Sequence, residues 1–186
     1  QEKDYLKYIC VSGECMGLEV GKQIAKAFNQ AEIYHIYGLT EACPRVSYLP
    51  PHMFEKYPDY VGVPLRSVSL KIISDEGKPV QVNEVGLLWI KGDNVMAGYY
   101  NNPQKTSEAM KDGWLCTGDL AMFNEEGLLK IKGRSDDLII KAGMNIYPQE
   151  IENVLKQDSR VREVLAYGYN DERHGTQIAL DITGEF

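Results

Sequence analysis

The stretch GWLCTGDLAMFNEEGLLKIKGRSDDLIIKAGMNIYPQEIE, residues 113–152, alternates short apolar runs with polar interruptions. Two interruptions, TGD at residues 117–119 and GRSDD at residues 133–137, stand where a core strand would otherwise continue. Apolar runs of this length, with turn-forming residues between them, predict short antiparallel strands. A polar interruption within such a pattern is either a turn or a functional site.

The chain before residue 61 has a different pattern. Residues 8–12 form a short apolar run, helical spacing of apolar residues follows as far as Phe28, and a second run, residues 32–37, stops at Gly38. This alternation of strand, helix and strand predicts part of an α/β sheet.

From Val61 onward, turn residues separate short strands, and a glycine at the end of such a loop favours a hairpin. The segment from Asn102-Pro103 to Met110 is predicted to be a short helix between them. The predicted strands cover residues 68–73, 87–91, 120–123 and 128–132.

The last part of the chain combines a helix with two strands. Pro148 suits the first position of an amphipathic helix, and residues 161–169 and 177–182 are predicted strands. The predicted fold class is therefore α/β, mixed α+β. We divide it into the end of a large α/β subdomain (1–60), an antiparallel β subdomain (61–135) and the beginning of a small, incomplete α+β C-terminal domain (136–186).

Composition restricts the kinds of partner. The chain has 186 residues and a formal net charge of −7, with scattered basic residues, which argues against nucleic acid as a partner. Its apolar runs are far shorter than the roughly 20 residues of a membrane-spanning helix, and the N-terminal QEKDYLKY lacks the features of a signal peptide. We expect a cytoplasmic protein without a membrane span whose partners are small molecules.

Four polar segments follow apolar runs, at residues 12–14, 37–41, 117–119 and 133–136. Ligands of α/β sheets gather at the carboxyl ends of strands, so such loops can converge on one ligand. Each segment also has a structural interpretation: Gly13 and Gly38 suit turns, Asp119 a turn or cap, and Arg134 a surface ion pair.

The combination of these segments resembles the adenylate-forming (AMP-binding) superfamily of acyl-CoA synthetases, luciferases and adenylation domains of nonribosomal peptide synthetases. The matches are YGLTEA at 37–42, WLCTGDLA at 114–121 and GRSDDLIIKAGMNIYPQEIE at 133–152. The looser GYYNNPQKT lies between them at 98–106. They occur in the family's order and together cover most of the chain.

The first motif implies contacts with ATP. By the resemblance, Tyr37 packs on the adenine ring and Gly38 belongs to the same nucleotide-binding loop. Thr40 then hydrogen-bonds a phosphate oxygen, and Glu41 helps to hold Mg²⁺, which prefers oxygen ligands.

The other motifs imply the rest of the nucleotide site. Asp119 would accept hydrogen bonds from the ribose hydroxyls, and Arg134 would contact the ribose and the phosphate side of the nucleotide. Gly13 and Glu14 resemble the family's glycine-glutamate loop at the nucleotide and acyl pocket, although Ser12 stands where a glycine is more usual.

The resemblance also implies a two-step reaction with a domain rotation between the steps. Asp136 falls on the hinge position, and Lys141-Ala142-Gly143 on the loop that approaches coenzyme A in the thiol step. We take Thr40, Glu41 and Lys141 as candidate catalytic residues. Lys141 does not replace the family's catalytic lysine, which lies further towards the C-terminus than this sequence extends.

The branch of the family is indicated by the last motif. Amino-acid-activating members usually carry an arginine where this chain has Asn145, and the motif resembles that of acyl-CoA or aryl-CoA ligases. We therefore expect a carboxylic acid:CoA ligase, with fatty acid metabolism as an expected context. ATP, Mg²⁺, coenzyme A and a carboxylic acid are the implied cofactors and partners. The acid itself is not readable from these residues.

The glycine-rich phosphate loop of the family does not occur before Tyr37. We therefore expect a piece of a longer enzyme that is inactive in isolation and self-associates through apolar faces that the longer enzyme would cover. Two alternatives remain open: an adenylation domain that loads a carrier protein, and a noncatalytic module that binds a nucleotide or a protein.

Overall fold

The computed structural model describes residues 5–171 and 173–185. The chain divides into two compact units, the first ending at Ile131 and the second beginning at Lys132. Mixed helices and sheets occur as the sequence predicts. The division into three subdomains at residues 60 and 135 stays a prediction.

The first unit opens with the predicted strand, helix and strand. Strand β1 (Tyr8–Val11) and strand β2 (Glu32–Leu39) are parallel, with Val11 opposite His35, and helix α1 (Leu18–Ala27) connects them. An extended Gly17 precedes the helix. Glu19 lies in the first turn and Lys26 in the last turn, where their charges interact favourably with the helix dipole.

Strand β2 extends beyond its predicted end. It continues through Gly38 to Leu39, and a turn of two residues joins it to antiparallel β3 (Ala42–Tyr48). The register is irregular between Tyr37 and Leu39, so the glycine marks a bulge within a strand. A short 3-10 helix and strand β4 (Val63–Pro64) complete a sheet in the order β1-β2-β3-β4.

The second sheet is antiparallel, as predicted, and has the order β5-β6-β8-β7, with β9 also paired to β8. Helix α2 (Pro103–Ala109) lies between β6 and β7 in the chain. The strands are β5 (Val68–Ile73), β6 (Gly86–Gly92), β7 (Met110–Lys111), β8 (Trp114–Phe123) and β9 (Leu129–Arg134).

The polar residues 117–119 do not form a turn. They lie inside the continuous ten-residue strand β8, which the apolar pattern alone had started at Leu120. The ladder between β6 and β8 shifts register between Leu87 and Trp89, opposite these residues. The interruption is therefore a bulge that the strand accommodates without ending.

Two buried clusters hold the first unit together. One combines β3 with the second sheet, and the other packs α1 against β2 and the loop after β3. Residues with less than 1 % of their surface exposed include Ala42, Val46, Leu49, Leu88, Ile90 and Leu129.

The second unit contains two hairpins and one helix. They are β10 (Ile139–Lys141) with β11 (Met144–Ile146), helix α3 (Pro148–Leu155), and β12 (Val161–Asp171) with β13 (Gly175–Gly184). Pro148 occupies the start of α3, as the sequence predicts. The Glu152 carboxylate accepts a hydrogen bond from the Ala166 N–H at 2.9 Å and so ties α3 to β12.

None of the helices in the described part of the chain is long and apolar enough to cross a membrane.

Candidate functional site

The first motif is a hairpin whose turn carries two of the candidate residues. Leu39 pairs with Ala42, which leaves Thr40 and Glu41 as the connection between β2 and β3. Thr40 is exposed and Glu41 half-buried. Both side chains therefore leave the sheet at one short turn, where a ligand can reach them.

Gly38 allows the two strands of this hairpin to approach closely. A Cβ atom at Gly38 would lie 2.0 Å from the carbonyl oxygen of Pro44, far inside normal contact distance. Because the nearest atoms belong to the backbone, no rotamer change relieves the clash. A glycine is required here by the fold, whatever else the residue does.

Tyr37 and Asp119 are brought together from the two sheets of the first unit. The Tyr37 hydroxyl donates a hydrogen bond to Asp119 Oδ2, across a sequence separation of 82 residues. Asp119 is only 8 % exposed. A phenol and a carboxylate from two separate motifs thus form one polar group at the join of the sheets.

Thr117 explains how a buried strand presents Asp119. Its hydroxyl donates to the Leu88 carbonyl at 2.9 Å and accepts the Asp119 N–H at 3.0 Å. The intervening Gly118 has a φ of 76°, a left-handed conformation that glycine adopts readily. The threonine side chain therefore satisfies two backbone groups that the bulge removes from regular pairing.

Glu41 is held by a residue to which sequence analysis assigned no role. The Tyr99 hydroxyl donates to Glu41 Oε1 at 2.9 Å, across 58 positions of sequence. Tyr99 and Thr117 both stand inside the matched motifs. Their presence there was the available signal, but their roles depend on a fold that brings distant segments together.

Gly13 and Glu14 lie just beyond the carboxyl end of β1. Both are exposed, and Gly13 has a φ of 102° with no atom near its missing Cβ. Val11, the last residue of β1, pairs with His35 on β2. Strand β1 therefore ends two residues before the position that would pair with Tyr37. Gly13 and Glu14 therefore follow the strand that lies parallel to the strand of Tyr37.

His35 is a buried histidine on the strand that carries Tyr37. It is 1 % exposed, and its Nδ1 lies 3.0 Å from the Pro58 carbonyl oxygen, to which a protonated Nδ1 donates. Burial lowers the pKa of His35 because the cation loses hydration, and the carbonyls of Pro58 and Tyr60 only partly oppose this effect. The hydrogen bond links β2 to the segment before β4, and burial favours the neutral form of the ring.

Arg134 and Asp136 belong to the second unit. Arg134 ends β9 and Asp136 lies in the following turn, and both side chains are exposed. They line an open cavity of about 800 Å³, together with Gln149 of α3 and Tyr167 of β12. This cavity lies wholly within the second unit and is mixed in character, with charged groups at residues 134–137.

The predicted loop at 141–143 is the end of a hairpin. Lys141 is the last residue of β10, and its ammonium donates to Gln177 Oε1 of β13 at 2.9 Å. Ala142 and Gly143 form the turn, with φ angles of 51° and 78°. Two consecutive positive φ angles are typical of tight hairpin turns, and the alanine adopts one at some energetic cost.

The first unit provides side-chain oxygen atoms at Thr40 and Glu41 that could contribute to magnesium binding. Across residues 5–171 and 173–185, no three His, Cys, Asp or Glu side chains form a group that could hold a metal ion. A magnesium ion usually keeps several waters and takes one or two carboxylates plus substrate phosphates. A single carboxylate at Glu41, beside the Thr40 hydroxyl, fits that mode of binding.

Comparison with known proteins gives consistent matches. The family model described as AMP-binding enzyme matches residues 1–100. A long-chain-fatty-acid–CoA ligase of Haemophilus influenzae is 37 % identical over 169 residues, which are 89 % of this chain and 30 % of that protein. The chain therefore spans less than a third of the length of this relative.

Solved structures agree with the fold. The o-succinylbenzoate CoA synthetase of Bacillus subtilis, in complex with its acyl-adenylate intermediate, matches with a TM-score of 0.87 and 32 % identity over 94 % of this chain and 36 % of that one. An amide bond synthetase of Marinactinospora thermotolerans matches with a TM-score of 0.86 and 27 % identity, over 95 % of this chain and 36 % of that one.

Proposed function

Because this chain belongs to the AMP-binding enzyme family, we propose that it is part of an ATP-dependent carboxylic acid:CoA ligase. The reaction has two steps. The acid's carboxylate attacks the α-phosphorus of ATP and expels pyrophosphate, and the thiol of coenzyme A then attacks the acyl carbonyl and expels AMP. The fatty-acid ligase among its relatives makes a fatty acid the first substrate to test.

The observation that carries the proposal is the Tyr37–Asp119 pair. An ionised carboxylate accepts hydrogen bonds from two adjacent hydroxyl groups, as a ribose presents them. The tyrosine supplies a flat face for a purine ring beside it. Two motif residues on different sheets therefore combine into a group suited to one nucleoside.

The hairpin turn is the proposed phosphate end of the site. The exposed Thr40 hydroxyl can donate to a phosphate oxygen, and Glu41 would hold Mg²⁺ through its carboxylate. The bound ion supplies positive charge that offsets the charge of the phosphate oxygens. Catalysis of this step rests on positioning and on electrostatic stabilisation.

The second unit is proposed to change its position between the two steps. Asp136 lies in the turn directly after β9, where a change of backbone angles redirects everything that follows. In this proposal Arg134 contacts the nucleotide, and the hairpin turn at Ala142 and Gly143 approaches coenzyme A during thioester formation. Lys141 would assist there from the end of β10.

The nucleotide site is tested by calorimetric titration with an acyl sulfamate of adenosine, a nonhydrolysable mimic of acyl-AMP. Asp119→Asn keeps the shape of the side chain and is expected to weaken binding at least tenfold, because a charged acceptor is lost. Asp75→Asn, in an exposed turn, is the matched control and is expected to bind normally. Equal binding by the wild type and Asp119→Asn would contradict the proposed nucleoside site.

The reaction is tested in the whole protein that carries this chain. Pyrophosphate release that depends on a fatty acid, followed by acyl-CoA formation, is the expected result. The likeness to an amide bond synthetase favours an amine as a second candidate acceptor. Acyl transfer to an amine or to a carrier-protein thiol, without acyl-CoA, would favour these alternatives, and nucleotide binding without pyrophosphate release would favour a noncatalytic module.

A further inference from the structure

The matched segment at residues 98–106 has no role in the function proposed above. It forms a compact loop that leads into helix α2, and we call it the 98–106 loop. Gly98 has a φ of 149°, and a Cβ there would lie 2.7 Å from Thr106 Cγ2. The Thr106 hydroxyl donates to the Asn102 carbonyl at 2.9 Å, and Asn102 Oδ1 caps helix α2 by accepting the Lys105 N–H at 3.0 Å. The glycine, asparagine and threonine of the motif are thus used structurally.

The 98–106 loop fixes the position of the Tyr99 side chain. Thr106 Oγ1 accepts the backbone N–H of Tyr99 at 2.9 Å, and the Lys105 ammonium lies 4.3 Å from the centre of the Tyr99 ring. Tyr99 is half-buried, whereas the next residue, Tyr100, is 93 % exposed. Of two adjacent tyrosines, only the first is directed into the protein, and its hydroxyl reaches Glu41.

Backbone contacts join the same two segments. The Met96 N–H donates to the Glu41 carbonyl at 2.8 Å, Val95 forms a bridge with Ala42, and the Asn94 amide donates to the Arg45 carbonyl at 2.9 Å. The turn that carries Glu41 is therefore attached through its main chain to the residues just before the 98–106 loop, and through its carboxylate to the loop itself.

One oxygen of the Glu41 carboxylate remains available for a ligand. Oε1 accepts the Tyr99 hydroxyl at 2.9 Å, so this hydrogen bond occupies one of the two carboxylate oxygens. A phenol that holds one oxygen restricts the rotation of the carboxylate and leaves the second oxygen directed elsewhere. This is the arrangement of a ligand whose orientation is set before the ion arrives.

We propose that Tyr99 is a positioning residue for Glu41, and that the segment 98–106 serves to hold the Tyr99 hydroxyl where it orients this carboxylate towards magnesium and the nucleotide phosphates. The inference rests on the proposed function, which makes Glu41 a magnesium ligand. In this proposal Tyr99 acts through Glu41 and is not itself a ligand of the ion or of the nucleotide. The hydrogen bond restricts the Glu41 carboxylate before the ion binds, so less conformational entropy is lost on binding.

The test compares Tyr99→Phe with Tyr100→Phe in the whole protein. Binding of ATP without a carboxylic acid, so that no turnover occurs, is measured by calorimetry over a series of Mg²⁺ concentrations. We expect the Mg²⁺ concentration for half-maximal binding to rise about tenfold in Tyr99→Phe, as for the loss of one hydrogen bond to a charged group. Tyr100→Phe, which removes an exposed hydroxyl, is expected to stay within about twofold of the wild type.

Two further measurements separate positioning from general stabilisation. The acyl sulfamate of adenosine, titrated in the presence of a chelator, needs no metal and is expected to bind Tyr99→Phe as it binds the wild type. In a double-mutant cycle with Glu41→Gln, the Tyr99→Phe change is expected to have no additional effect, because it acts through the carboxylate. Thr106→Val keeps the Tyr99 hydroxyl but loosens its backbone, and is expected to give a smaller defect of the same kind.

The outcomes separate this inference from the function on which it rests. An unchanged Mg²⁺ dependence, an effect that multiplies with that of Glu41→Gln, or an equal loss of metal-free mimic binding would each overturn the positioning role while leaving the ligase proposal intact. If the wild type binds neither ATP nor the mimic, the proposed function fails and this inference fails with it.

Discussion

Replacing Thr117 by valine tests how the structure presents Asp119. Valine keeps the branched shape of threonine and replaces the hydroxyl by a methyl group. That hydroxyl donates to the Leu88 carbonyl and accepts the Asp119 N–H, at 2.9 and 3.0 Å. The substitution therefore leaves one buried acceptor and one buried donor without their partner.

The expected cost follows from burial. Thr117 is 6 % exposed and Leu88 is fully buried, so water does not readily replace the lost hydroxyl. A buried polar group that loses its partner costs about 1–3 kcal/mol. Two such groups lower the free energy of unfolding by about 2–6 kcal/mol, a large share of the roughly 5–15 kcal/mol by which ordinary proteins are stable.

The assay is urea denaturation followed by tryptophan fluorescence, since Trp89 and Trp114 belong to the same sheet. With a slope of about 2 kcal/mol per molar urea, the midpoint is expected to fall by about 1–3 M. Ser69→Ala is the control, because Ser69 is an exposed residue of strand β5 in the same sheet as the two tryptophans. A midpoint for Thr117→Val within about 0.3 M of the control would refute the assigned role of the hydroxyl.

Four other outcomes follow from the structure. Burial lowers the pKa of His35, so the unfolded chain binds a proton at this residue more readily than the folded chain does. The free energy of unfolding should therefore fall as the pH falls from the ordinary histidine pKa of about 6.5 through the pKa of the folded state. Urea midpoints measured from pH 8 to pH 5 should show this loss, and His35→Gln should lack it. Gly38→Ala, whose Cβ meets the backbone of Pro44, should lower the free energy of unfolding by at least about 2 kcal/mol, and a thermal midpoint equal to that of the wild type would contradict the close approach. Tyr37→Phe should weaken binding of the acyl-adenylate mimic by calorimetry about tenfold, because Asp119 loses a donor that orients it, and unchanged affinity would count against the pair. The isolated chain should self-associate at micromolar concentration because strand β1 lies at a sheet edge with exposed apolar side chains, and a single monomeric species in sedimentation would oppose this.

Much of the secondary structure followed from local pattern. Strand β5 covers the predicted residues 68–73, and α2 and α3 begin at the prolines that indicated them. These elements depend on short-range properties, namely alternation of apolar residues and the fixed φ of proline, which are visible in a few consecutive residues.

Local pattern gave wrong boundaries where the backbone is irregular. Gly38 and Gly118 interrupt the apolar alternation and were interpreted as strand ends or turns, yet both lie within strands. A bulge inserts a residue without ending a strand, and its position depends on the partner strand as much as on its own sequence. The sequence around a bulge alone cannot distinguish it from a turn.

For this protein, sequence alone determined which segments carry polar groups after strands, and through its motifs which family the chain resembles. Tertiary structure decided which of these groups meet. The Tyr37–Asp119 and Tyr99–Glu41 hydrogen bonds join residues 82 and 58 positions apart. Such contacts depend on sheet order, strand register and the bulges within strands, and these are set by packing of the whole unit, not by neighbouring residues.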